Sequence, residues 1–125
     1  MGEKILKIVQ VEHMRRIEKA ADESGFSYEQ MMDNAGRAAA QQAITMLAHL
    51  DEDIRVTILT GAGNNGGDGL VCGHYIAEQR EDIQVRFYLL KRREEDDPLV
   101  TAAQDAGLFI AYSEDDADGR VLRNM

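Results

Sequence analysis

The tightest restriction on the fold comes from a nine-residue stretch that holds five glycines. Gly61-Ala62-Gly63-Asn64-Asn65-Gly66-Gly67-Asp68-Gly69 follows Arg55-Val56-Thr57-Ile58-Leu59-Thr60 and precedes Leu70-Val71. The leading segment is β-branched and apolar on both faces, as suits a buried parallel strand. The trailing segment, with Leu70, Val71, His74, Tyr75 and Ile76 to Ala77, reads as a helix. Gly61, Gly63 and Gly66 satisfy G-x-G-x-x-G in the strand–turn–helix context that gives the pattern meaning. Glycines there let main-chain N–H groups reach a pyrophosphate at a helix N-terminus. Alone, the match carries little specificity.

The surrounding pattern extends this unit into an α/β plan. Met14, Ile17 and Ala21 recur at helical spacing, so about 12–24 reads as a helix, stopped by Gly25. Ser27 and Gln30 form a capping box, with Phe26 and Met31 placed for a hydrophobic staple. Met32, Ala35, Ala39, Ala43, Met46 and Leu50 continue one apolar stripe, which predicts a long second helix to about residue 50. After the turn at 61–69 and its helix, Ile83 to Leu90 reads as a second strand. Asp97-Pro98 opens a helix that Gly107 closes. Leu108 to Tyr112 is a third strand, and Ser113 is placed to cap one more helix. Two helices followed by β-α-β-α-β predict a doubly wound α/β fold with right-handed crossovers. Three strands are few for such a sheet, and the pattern reads as incomplete.

Charge narrows the ligands. Fourteen basic against 23 acidic side chains leave a formal charge of −9. Such a chain repels a phosphate backbone and gains nothing at an anionic membrane, so neither nucleic acid nor membrane is an expected partner. Any phosphate must be held locally. Cys72 is the only cysteine, which excludes an intrachain disulfide. No apolar run approaches the roughly 18 residues of a membrane span. The N-terminus reads neither as a secretory signal nor as a myristoylation site, and a cytoplasmic location is expected.

The turn departs from an ordinary dinucleotide site. The acidic residue that holds ribose hydroxyls at the end of the second strand is replaced by Lys91-Arg92-Arg93. No Gly-Lys-Ser/Thr follows, so a Walker loop is excluded. Asn64-Asn65-Gly66-Gly67-Asp68 is the unusual part, since two amides and a carboxylate among free N–H groups can hold a phosphate and a monovalent cation. The alternative is that Asn64 and Asn65 occupy left-handed turn positions while Asp68 caps the helix.

At this loop the chain resembles the YjeF N-terminal domain family, the NAD(P)H-hydrate epimerases. The residues that carry the resemblance are Gly61 through Val71, with Met14 to Glu18 and Met31 to Gly36 resembling two leading helices. Tyr88 and Lys91 fall where the family has an aromatic residue and then a lysine at a strand end. The resemblance covers most of residues 11–95 and makes 1–125 the N-terminal part of a single domain of this kind. It implies a Rossmann-like three-layer α/β/α sandwich with a parallel sheet, incomplete relative to the family. It also implies interconversion of the R and S epimers of hydrated NADH and NADPH, with potassium beside the loop. By residue match, Asn64, Asn65, Gly66, Gly67 and Asp68 would line the substrate site, Asn65 would ligate potassium, and Lys91 would act in catalysis. An ADP-dependent dehydratase, as partner or fused domain, would repair the S form.

The family's catalytic aspartate and remaining potassium ligands lie in motifs after the third strand, and nothing in 113–125 matches them. Asp115, Asp116 and Asp118 read as a solvated acidic run, so the chain alone is expected to bind without turnover. The competing class is a non-catalytic scaffold, since related domains serve dimerisation and partner binding in RNA processing. The leading helices and an open sheet edge suggest a homodimer. Among other residues, His74 reads as surface or packed, Cys72 as an inert buried thiol, and Met31-Met32 as core. His13 and His49 lack metal-ligand spacing. Gly36, unusual inside a helix, is placed to let the glycine loop approach closely, with Asn34 bonding it.

Overall fold

The computed structural model describes residues 27–125 together with Arg16, Lys19 and Ala20. The helix expected at 12–24 and the Phe26 staple therefore lie outside the described residues, apart from those three. The chain divides into two compact units, Met1–Met31 and Met32–Met125. In the first, Ser27 acts as the expected cap: its Oγ accepts the Gln30 N–H at 3.1 Å.

Helix α1 (Tyr28–Met46) leads to strand β1 (Ile54–Thr60), helix α2 (Asn64–Gln79) and strand β2 (Ile83–Leu89). Helix α3 (Pro98–Asp105), strand β3 (Phe109–Tyr112), a 3-10 turn (Ser113–Asp115) and a short helix α4 (Arg120–Arg123) complete the chain. The sheet has the order β1-β2-β3 and is parallel throughout. Ile54, Val56, Ile58 and Thr60 pair in register with Ile83, Val85, Phe87 and Leu89, so all eight share one face. Helix α2 lies on that face, since a Cβ added at Gly73 would come within 2.4 Å of the Phe87 ring.

The opposite face of β2 carries Arg86 and Tyr88. Here the segment after β3 returns across the sheet: the Tyr88 hydroxyl donates to Asp116 at 2.9 Å. A thin third layer results. Phe87, Tyr88 and Leu89 are all buried, as expected of a central parallel strand.

The pattern of β1 implies burial on both faces, but Leu59 is 58% exposed. It lies at the edge of the described sheet, and the returning segment reaches only β2 and β3. The stripe on α1 is also shifted by one residue. Ala35 and Ala39 are exposed and Met46 is 64% exposed, while Gly36 and Ala40 are buried and Ala43, Ile44 and Leu47 pack beside them. The reason is close approach: a Cβ at Gly36 would sit 2.5 Å from Val71 Cγ1 and 3.0 Å from the Asp68 carbonyl oxygen. A glycine is what lets α1 meet the start of α2, as the sequence suggested. Asn34 is exposed.

Helix α3 matches expectation closely. Asp97 Oδ1 accepts the N–H groups of Leu99 at 2.9 Å and Val100 at 3.4 Å, and Pro98 takes the first helical position. Gly107, with φ +77°, ends it in the left-handed conformation that glycine tolerates.

Candidate functional site

The glycine segment is shorter as a turn, and longer as a helix, than its composition suggests. Gly61, Ala62 and Gly63 turn the chain, and α2 already begins at Asn64. The first helical bond runs from the Gly67 N–H to the Gly63 carbonyl at 3.2 Å. Asn64 to Asp68 are thus the opening turn of α2 rather than a loop insertion. Asp68 sits inside the helix and does not occupy its cap position. That position belongs to Gly63, which supplies no side-chain cap. The cap residue of α2 therefore has no side chain to offer its N–H groups, and the first turn holds no acidic residue.

Close packing explains why glycine recurs along this face. A Cβ at Gly66 would fall 1.9 Å from the Gly61 carbonyl oxygen, an impossible contact with backbone. At Gly67 it would meet Met32 at 2.6 Å, and at Gly69 it would meet Thr60 Cγ2 at 2.9 Å. Gly61 and Gly63, by contrast, have nothing within 4 Å. The glycines inside the helix are needed for packing, while those before it face open space.

Behind the turn stands Arg93. Its Nη1 donates to the carbonyls of Gly63 at 3.1 Å, Ala62 at 3.2 Å and, more weakly, Gly61 at 3.4 Å. Its Nε donates to Asp97 Oδ2 at 2.8 Å. Both side chains are largely buried, at 11% and 14% exposure. Burial alone would raise the Asp97 pKa; the Arg93 bond, with the Leu99 and Val100 N–H groups, outweighs it and holds the carboxyl below the usual range. Arg93 thus ties the glycine turn to the N-terminus of α3.

Lys91 is exposed and leaves the sheet beside the turn, because the Leu90 N–H donates to the Thr60 carbonyl at 2.8 Å. Topology therefore brings Lys91 and the turn to the same carboxyl edge of the sheet, where open α/β sheets bind ligands. Thr60, only 2% exposed at the end of β1, has a buried Oγ1 without a hydrogen-bond partner among the described residues.

The acidic segment after β3 overturns one expectation. Asp115 and Asp118 are solvated, but Asp116 is only 7% exposed. Its carboxylate accepts the N–H groups of Val121 at 3.0 Å and Leu122 at 3.1 Å besides the Tyr88 hydroxyl. The Val121 bond first, against burial, and then Leu122, Tyr88 and nearby Arg123 hold its pKa below the usual range. Burial and this carboxylate push the Tyr88 hydroxyl up. An acid held ionised with both oxygens engaged is a structural anchor, not a proton donor.

His74 pairs with Glu78 at 2.9 Å one turn along α2, away from the turn. It lines a groove of about 230 Å³ with Asp33, Arg37, Tyr75 and Leu99. Burial pushes the half-buried Cys72 thiol up, which disfavours the nucleophilic thiolate. No cluster of three metal-ligating side chains occurs among the described residues. Nor is any described helix long and apolar enough to cross a membrane. Sequence reasoning missed Arg93, Thr60 and Asp116. Only Arg93 had a signal, its spacing to the cap residue Asp97.

Comparison with known proteins agrees with this geometry. Residues 28–112 match the family described as YjeF-related protein N-terminus. The NAD(P)H-hydrate epimerase of Elusimicrobium minutum is 39% identical over 79 residues, covering 62% of this chain and 36% of that protein. The bifunctional NAD(P)H-hydrate repair enzyme Nnr of Coxiella burnetii is 37% identical over 86 residues, covering 69% of this chain and 17% of that one. The crystal structure of the yeast protein ynu0 superposes with a TM-score of 0.79 at 25% identity, over 94% of this chain and 51% of the other. The chain spans about a third of the length of the epimerases it matches, 36% and 35% in two cases. With that match running from α1 through the uncapped glycine turn to β3, the chain belongs to the YjeF-related protein N-terminus family.

Proposed function

We propose that this chain supplies the dinucleotide-anchoring half of a domain that interconverts the R and S epimers of hydrated NADH and NADPH. The observation that carries the reading is the uncapped start of α2 at Gly63, at the carboxyl edge of β1, in a chain whose relatives are named NAD(P)H-hydrate epimerases. The reacting carbon of the hydrated ring adjoins nitrogen. Protonation of its hydroxyl lets water leave while nitrogen shares the charge, and water returns on either face. That step needs one general acid near the ring and a firm grip on the rest of the molecule. Backbone N–H groups of the turn and of Asn64, Asn65 and Gly66, with Gly67 and Asp68 beside them, would form that grip. Lys91 would orient water or the ring amide from the neighbouring strand end.

Potassium fits this setting in kind. An alkali cation takes neutral oxygen donors, and the Thr60 hydroxyl, without a partner among the described residues, lies buried where β1 enters the turn. Asn65 would be a ligand through its amide oxygen, and the bound ion would supply positive charge beside the phosphates. The carbonyls of Gly61, Ala62 and Gly63 would not contribute, because Arg93 already holds them.

A dehydratase would consume the S epimer, in the same chain or as a separate protein. The bifunctional repair enzymes among the relatives support the fused arrangement. We also infer a homodimer, since β1 is an edge strand of the described sheet.

Calorimetric titration of the chain with NADP and with ADP-ribose tests the anchoring role, in potassium and then in sodium buffer. Binding that is tighter in potassium and lost in an Asn65→Ala/Asp68→Ala variant is expected. A folded chain that binds neither ligand in either buffer would sink the reading and favour a scaffold role.

A further inference from the structure

We propose that Arg93 is a positioning residue that holds the glycine turn in the orientation needed to bind a diphosphate. This rests on the anchoring role assigned to the turn above. The peptide bonds of the turn are trans, so each N–H points opposite to the carbonyl of the residue before it. Arg93 draws the carbonyls of Gly61, Ala62 and Gly63 to one side, at 3.4, 3.2 and 3.1 Å. The N–H groups of Ala62, Gly63 and Asn64 are therefore turned to the other side, where Ala62 and Gly63 are exposed.

Carbonyls that converge on one nitrogen leave their N–H groups in a spread row rather than a closed cup. A row matches the oxygens of a diphosphate, distributed over two phosphorus atoms, better than a single carboxylate. The guanidinium also places a positive charge directly behind the turn, in a chain of net charge −9 that otherwise repels anions.

Two further contacts fix the device. Asp97 holds the other edge of the guanidinium through Oδ2 at 2.8 Å while its Oδ1 caps α3, so the carboxylate that grips the arginine is itself fixed by a helix start. Gly66 admits the arrangement from the front, since any Cβ there would lie 1.9 Å from the Gly61 oxygen and 3.2 Å from Arg93 Nη1. A lysine in place of the arginine would keep the charge but not the planar fork that spans a carboxylate and a row of carbonyls. The site is thus set by a residue that never touches the ligand.

The test is an amide-resolved NMR titration of the full chain with inorganic pyrophosphate, for the wild type, Arg93→Met and Arg93→Lys. In the wild type, saturable shifts at Ala62, Gly63 and Asn64 are expected. Both variants should bind about tenfold more weakly or worse, with β2 amide dispersion unchanged. Full rescue by lysine would overturn the proposal, because charge alone would then suffice. Undiminished binding in Arg93→Met would overturn it as well, while leaving the anchoring role intact. Failure of the wild type to bind pyrophosphate, ADP-ribose and NADP alike would instead remove the functional reading itself. Should Arg93→Met lose β2 dispersion, Arg93→Lys and Asp97→Asn decide, since each disturbs the fork and keeps a positive charge behind the turn.

Discussion

Of the segments that leave the carboxyl ends of the strands, those after β1 and β3 treat their backbone N–H groups in opposite ways. The glycine segment after β1 enters α2 through Gly63, a cap residue with no side chain, while Arg93 occupies its carbonyls. The acidic segment after β3 enters α4 with its own carboxylate, Asp116, already on Val121 and Leu122. The first segment is backed by a cation from the end of β2; the second carries its own carboxylate onto its helix start. Anion binding at a strand end thus depends less on the turn than on whether the chain has already filled the place.

The contrast can be broken by substitution, most severely at Gly66. Alanine there drives a methyl into the Gly61 carbonyl and should cost about 3 kcal/mol in denaturant unfolding, with loss of pyrophosphate binding. Next comes Asp97→Ala, which removes the α3 cap and the Arg93 partner and should cost about 1 kcal/mol from the cap alone. Acid should act in the same direction. Asp97 and Asp116 both have lowered folded pKa values, so their stabilisation is complete above the unfolded carboxylate pKa of about 3.9. It is lost as pH falls below that and through the folded values, which melting curves between neutral and strongly acidic pH would follow.

A more local effect is expected from Asp116→Asn. Hydrogen exchange at Val121 and Leu122 should quicken while the β2 amides stay protected. In the wild type, pyrophosphate should leave the Val121 and Leu122 signals unmoved; shifts there matching those at Ala62 would erase the distinction between the segments. The smallest change is Gly63→Ala, within about 0.5 kcal/mol, because the added methyl meets nothing and a stiffer unfolded chain offsets a poorer cap.

Much of this was legible in the sequence, and the limits have physical causes. Strands β1, β2 and β3 were set by β-branched and aromatic runs, and α3 by the Asp97-Pro98 start and Gly107 stop. These are local signals that the tertiary structure leaves undisturbed. The α1 stripe was misplaced because Ala38-Ala39-Ala40 marks no face, and because the buried position beside Val71 is a glycine, invisible to apolar periodicity. The early start of α2 was hidden for a related reason. Glycine is a poor helix former, yet here it is chosen for contacts from Gly61, Met32 and Thr60 that lie elsewhere in the chain. Asp116 looked like one of several solvated acids; only the return of the chain over Tyr88 distinguishes it. Arg93 was overlooked because its partners in the turn lie about thirty residues upstream, and its spacing to Asp97 alone marks only a cap.

That separation has a consequence for the order in which the protein is made. A chain emerging from the ribosome exposes Gly61 to Asp68 well before residue 93 exists outside the tunnel, at roughly 5–20 residues per second. Strands β1 and β2 can pair across α2 in the meantime, yet the turn stays unclasped until the arginine arrives and Asp97 secures it. Leu89 precedes Arg93 by only four residues, well under about a second at that rate, and α3 and β3 are made after it, so the grip is set midway through the building of the sheet.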